Sequence, residues 1–78
     1  MMPAWYSDIA PGEVLQTVAK CRRLTVDDLK GPSRRAYIVR ARWEAMRLLR
    51  ERGLSLPAIG LMLNRHHTAV LHGLRRAA

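Results

Sequence analysis

Apolar residues recur along most of the chain at the three- and four-residue spacing of amphipathic helices. Val14, Leu15, Val18 and Ala19 share one face of a first helix, opened by Pro11 because proline suits a first turn. This helix is predicted to stop near Arg22 or Arg23. Thr25, with Asp28 three residues on, has the form of a capping pair. Its hydroxyl can accept an otherwise unpaired amide, and Asp27 and Asp28 suit the positive end of the helix dipole. Leu29 anchors this short helix and Gly31-Pro32 ends it. Ser33 then reads as the N-cap of a long helix over residues 34–52. Ile38, Ala41, Ala45, Leu48 and Leu49 form its buried stripe, and Gly53 closes it.

Two shorter helices follow. Ser55 caps the first, with Pro57 in its first turn and Ile59 and Leu63 facing inward. Asn64 interrupts the pattern. Residues 65–76 form the last helix, with Val70, Leu71 and Leu74 as its apolar face, and His67 falls on that same core side. No stretch alternates apolar and polar residues as a half-buried strand would. The prediction is an all-α fold: a small helical bundle of four to five helices containing a helix-turn-helix of the Trp-repressor-like kind. Residues 1–10 are a lead-in that packs back through Trp5 and Tyr6, and residues 11–78 make a single domain.

Composition narrows the function. Seventy-eight residues supply one modest core and no second domain. The net charge is +8, and twelve arginines stand against two lysines. Arginine's planar fork matches phosphate oxygens, so nucleic acid heads the partner classes. Cys21 is alone, which excludes an internal disulfide, and it reads as a small buried apolar residue in a reducing compartment. No apolar run approaches the ~18 residues of a membrane span, and the first residues lack a signal-peptide pattern. The expectation is a cytoplasmic, nucleoid-associated protein with no membrane partner. No nucleophile–base pair or carboxylate pair stands out, so no catalytic residue is assigned. His66, His67, His72 and Cys21 lack metal-ligand spacing, so neither a metal nor a cofactor is expected.

In a helix-turn-helix the second helix lies in the major groove with its first residues on base edges. Arg65, His66, His67 and Thr68 offer the donors and acceptors such contacts need. Arg34 and Arg35 suit a narrow minor groove. An arginine at a helix's positive end is unfavourable unless it has a partner. Arg40, Arg42, Arg75 and Arg76 add electrostatic anchoring. The pattern alone leaves open a plain helical hairpin with a solvated basic face.

Three segments carry a resemblance: VAKCRRLTVDDLKG, SRRAYIVRARWEAMRLLRE and LSLPAIGLMLNRHHTAVLHGLRR. Together residues 14–76 resemble the C-terminal DNA-binding domain of the bacterial chromosomal replication initiator DnaA. The third segment is the most specific. It is similar to a Ser-Leu-Pro-x-Ile-Gly helix followed by Gly-Arg-Asp-His-Thr-Thr-Val-Leu-His. The resemblance implies that Arg34 enters the minor groove. It also implies that Arg42, Leu56 and Pro57 approach the phosphate backbone. Arg65, His66, His67, Thr68 and Ala69 would then read the bases of double-stranded DNA at a DnaA-box-like site. His66 stands where the family has aspartate, Ala69 where it has a second threonine, and Asn64 where it has glycine. Two changed readers redirect the preferred sequence, since a good base contact is worth ~1–3 kcal/mol of discrimination.

No Gly-rich Lys-Ser/Thr loop is present to cradle a nucleotide. The expectation is a stand-alone derivative without the ATPase domain, a bacterial or phage regulator of replication initiation or transcription. A second reading keeps the fold but makes it a protein-interaction module. It would bind the initiator or another replication or transcription protein through Trp43 and the N-terminal aromatics.

Overall fold

The computed structural model describes residues 9–77. A 3-10 turn, Pro11–Glu13, leads into α1, Val14–Cys21. Then come α2, Val26–Lys30, and the long α3, Ala36–Glu51. The last two helices are α4, Leu56–Leu63, and α5, His67–Ala77. Among the described residues there is no strand. Trp5 and Tyr6, expected to pack back on the domain, lie outside the described residues.

The helix starts follow local chemistry. Thr25 and Asp28 form the reciprocal capping box: Thr25 Oγ1 accepts the Asp28 amide at 3.1 Å, and Asp28 Oδ2 accepts the Thr25 amide at 2.9 Å. Ser55 Oγ accepts the Ala58 amide at the start of α4. The helix ends are equally local for α1, α3 and α4. Each stops at a residue with positive φ: Arg23 at 57°, Gly53 at 87° and Asn64 at 56°. Behind each, paired amides return to the last-turn carbonyls in a Schellman arrangement, as with Leu24 N to Ala19 O at 2.7 Å and Arg65 N to Gly60 O at 2.7 Å. Gly53 and Asn64 are residues that tolerate this backbone. Arg23 is not, and its position gave no such signal.

Two boundaries and two burial assignments differ from the sequence reading. Ser33 caps no helix. Its Oγ accepts the Arg35 amide at 3.3 Å within the loop, and Arg35 is extended (φ −59°, ψ 133°), so α3 begins at Ala36. The last helix begins at His67, because Asn64 and Arg65 complete the close of α4 and His66 stands as the flanking residue. Cys21 is exposed on the last turn of α1. Leu71 is 37% exposed, although it shares the apolar pattern of α5. Gly73 is buried in its place, because α5 crosses α3 so closely there that a Cβ would strike the Trp43 and Met46 side chains.

The core joins all five helices. Val14 and Val18 of α1, Leu29 of α2, Leu49 of α3, Ile59 and Leu63 of α4 and Val70 of α5 are completely buried. Burying one such side chain contributes about 1.5–3 kcal/mol. The stripe of α3 is as the spacing predicts, with Ile38, Ala41, Ala45, Leu48 and Leu49 all buried. Met46 and Arg42 join them. A second close approach is at Gly60, where a Cβ would collide with the carbonyl oxygen of Arg65. A glycine there lets the turn fold back against α4, which fixes where α5 begins.

Candidate nucleic-acid interface

The turn between α4 and α5 presents His66, His67 and Thr68 to solvent at the first turn of α5. His66 is the flanking residue of that helix. Its carbonyl accepts the amides of Ala69 and Val70, and its Nδ1 accepts the Thr68 amide at 3.3 Å. The Thr68 hydroxyl lies 2.8 Å from the same Nδ1. The His66 and His67 rings meet edge to face with centroids 4.2 Å apart. His67 is thus outside the core, although the helical wheel put it with Val70 and Leu74. In the first turn of α5 the neighbouring helices do not cover that face. Ala69 is half-buried.

Beside this turn lies an open cleft of about 560 Å³. Lys30, Gly31, Pro32, Ser33 and Arg34 form one wall, Asn64 and Arg65 another, and Arg42 also lines it. Four cations and no carboxylate line the cleft. The structure therefore brings Arg34, Arg42 and Arg65 together from three separate parts of the chain. Lys30 and Asn64 were not anticipated there. Lys30 sits on the last turn of α2, just before Gly31-Pro32, and only the tertiary packing brings it to the α4–α5 turn.

The arginines of this cleft divide into two kinds. Arg42 is 6% exposed, and its guanidinium donates to three carbonyls: Nε to Leu29 at 2.8 Å, Nη2 to Gly31 at 3.2 Å and Nη2 to Ser33 at 3.1 Å. Burial, and secondarily the Arg65 charge, lower its proton affinity from the ordinary arginine value. Arg65 turns back in the same direction. Its Nη1 donates to the carbonyls of Lys30, Leu63 and Asn64 at 3.1 Å each, and its Nη2 to Gly31. The two guanidiniums take the carbonyls left unpaired at the end of α2 and hold the loop through Ser33. Arg42 accordingly positions that loop from below; it does not extend from the surface toward a backbone phosphate. Arg34 and Arg35 are exposed on the loop so held, and make no side-chain hydrogen bond among the described residues.

The remaining predicted contacts sit at the start of α4. Pro57 is exposed in its first turn, whereas Leu56 is half-buried against the core. Trp43 is also half-buried. It covers Gly73, and the Arg76 guanidinium carbon stands 6.0 Å from its ring. Elsewhere, arginines bind the fold to itself. Arg22 pairs with Glu44 at 2.7 Å, Arg47 with Glu51 at 2.8 Å, and Arg52 Nε donates to the Ile9 carbonyl at 2.8 Å. After Glu51 the chain contains no acidic residue. The turn between α4 and α5 therefore carries no acidic residue of its own. Among the described residues, no helix is long and apolar enough to cross a membrane.

Two short helices around a left-handed turn, with polar side chains exposed at the start of the second and a basic loop beside it, define a helix-turn-helix domain built for DNA. The comparisons agree. The chain belongs to the family described as the bacterial DnaA protein helix-turn-helix, whose model matches residues 11–77. It is 44% identical over 69 residues to the chromosomal replication initiator protein DnaA of Picosynechococcus, covering 86% of this chain and 15% of that protein. Against the DnaA of Thermomicrobium roseum it is 49% identical over 67 residues, covering 83% of this chain and 14% of the relative. Against that of Clavibacter sepedonicus it is 47% identical over 66 residues, with 82% and 14% covered. The chain thus spans about one seventh of the length of these relatives. No solved structure is significantly similar to it.

Proposed function

We propose that this domain binds double-stranded DNA in a sequence-specific manner and acts in the control of replication initiation or transcription. The first turn of α5 enters the major groove, with His66, His67 and Thr68 toward base edges. Arg34 and Arg35 reach the adjacent minor groove from the loop before α3, and Lys30 and Pro57 flank the phosphate backbone. The observation that carries this reading is the juxtaposition of three exposed readers with a cleft lined by four cations and no carboxylate. The site is a DnaA-box relative with altered bases, since His66 replaces an acceptor-only aspartate.

The test is fluorescence anisotropy with a DnaA-box duplex, a pool of random duplexes and a single selected site, across salt concentrations. The reading requires a selected duplex to bind more tightly than the pool. Log affinity should also fall with log salt at a slope near −0.9 per neutralised phosphate. Equal affinity for all duplexes, or a slope near zero, would sink it. An interaction confined to a partner protein would show no binding to any duplex.

A further inference from the structure

The hydrogen-bond geometry at the start of α5 determines how its two readers present themselves. His66 Nδ1 faces the Thr68 backbone amide, an obligatory donor, at 3.3 Å. A proton on Nδ1 would point at that N–H. Nδ1 therefore carries a lone pair, and the ring's proton sits on Nε2. The Thr68 hydroxyl, 2.8 Å from the same lone pair, then has one arrangement: its hydrogen donates to Nδ1. The hydroxyl's only donor is thereby used, and its lone pairs are left for solvent or ligand.

The surroundings do not oppose this form. α4 carries no ionisable side chain, and α5 beyond His67 carries only His72, Arg75 and Arg76. The Arg65 guanidinium is turned onto the carbonyls of Lys30 and Gly31. His67 meets the His66 ring at its edge. No carboxylate side chain lies on these elements. Both side chains are exposed, so the outward-facing groups are available.

Resting on the DNA-binding reading, we infer that His66 and Thr68 form a coupled pair of base readers of opposite polarity, with His66 Nε2–H as a donor only and the Thr68 hydroxyl as an acceptor only. In the major groove a donor selects an acceptor edge: guanine N7 and O6, thymine O4 or adenine N7. An acceptor selects an exocyclic amine, on cytosine or adenine. The helix cap thus sets the reading code, because the same lone pair that closes α5 dictates where both protons lie.

Two variants separate this from a purely structural histidine. His66→Asn keeps an oxygen that can cap the helix and an NH2 that can donate outward. His66→Asp caps equally well but only accepts. The first measurement is 15N NMR of the labelled free protein above the histidine titration range, at about pH 8. It should show His66 protonated at Nε2 and bare at Nδ1. A proton on Nδ1 overturns the inference whatever the DNA results.

The second is selection from a random duplex pool by wild type and both variants. At the position whose preference responds to residue 66, wild type and His66→Asn should select a base with an acceptor edge, guanine, thymine or adenine, and reject cytosine. His66→Asp should select cytosine there and lose about fivefold in affinity for the wild-type site, the equivalent of one net hydrogen bond. Selection of cytosine by the wild type, or a His66→Asn preference that follows His66→Asp, overturns the inference while leaving DNA binding intact. Failure of the wild type to bind any duplex overturns the DNA-binding reading and this inference with it, even where the tautomer is as stated.

Discussion

The loop between α2 and α3 and the turn between α4 and α5 both deliver exposed polar side chains to one side of the molecule. They are held in opposite ways. The α4–α5 turn is held by its own residues: Asn64 takes the left-handed backbone, the Arg65 amide returns to Gly60, and His66 caps α5. The α2–α3 loop has little local support. The carbonyls at its start are bound by the guanidiniums of Arg42 and Arg65, which lie 9–35 residues away along the chain from the carbonyls they hold there. One region is stabilised by neighbours in sequence and the other by neighbours in space. A surplus of arginine therefore does not translate directly into a surplus of DNA contacts.

Removing the distant support should have the largest effect. Arg42→Ala leaves the Leu29 and Ser33 carbonyls without their charged donor and the Gly31 carbonyl to Arg65 alone. It should cost about 3 kcal/mol of stability in urea unfolding, since hydrogen bonds to charged groups contribute about 1.5–3 kcal/mol each and are not additive. Loss of stability below about 0.5 kcal/mol would mean that the loop holds itself. Disturbing the local support should come next. In Gly60→Ala the new methyl meets the Arg65 backbone, which has nowhere to relax without moving the turn. The expected cost is about 2–3 kcal/mol, in the range of overpacked sites, with loss of sequence preference in the surviving folded protein. A variant as stable as the wild type would show that the turn can open without harm.

Arg34→Ala sharpens the distinction between holding and contacting. Arg34 is exposed and makes no side-chain hydrogen bond among the described residues, so its loss should change stability by less than about 0.5 kcal/mol. It should nonetheless weaken duplex binding and reduce the salt slope by about 1. An unchanged slope would remove Arg34 from the interface. The smallest effect on DNA binding is expected at Arg23. It adopts a φ of 57°, which costs an L residue roughly 1–2 kcal/mol, while glycine there adds unfolded-state entropy. Arg23→Gly should therefore raise stability by up to about 1 kcal/mol without altering DNA affinity, as read by thermal unfolding beside anisotropy. A fall in stability would mean that the Arg23 side chain contributes more than its backbone costs.

The residues that sequence alone made legible act over a few positions. The capping box of Thr25 and Asp28, the caps at Ser55, Gly53 and Asn64, and the stripe of α3 all depend on spacings of three or four residues. A linear pattern encodes such spacings directly, and the all-α class and the helix-turn-helix follow from them. What sequence could not decide was where a long side chain goes when several partners lie within reach. Arg42 and Arg65 look from the pattern like Arg34 and Arg35, because all four are flexible cations on or beside a helix. Only the packing of α2 against α3 and α4 puts unpaired carbonyls in front of the first two and solvent in front of the others. The same holds for Leu71 and Gly73, whose exchange of places follows from the angle at which α5 crosses α3. Local hydrogen bonds determine where helices begin and end; the meeting of distant surfaces determines which of their side chains remain free to touch DNA.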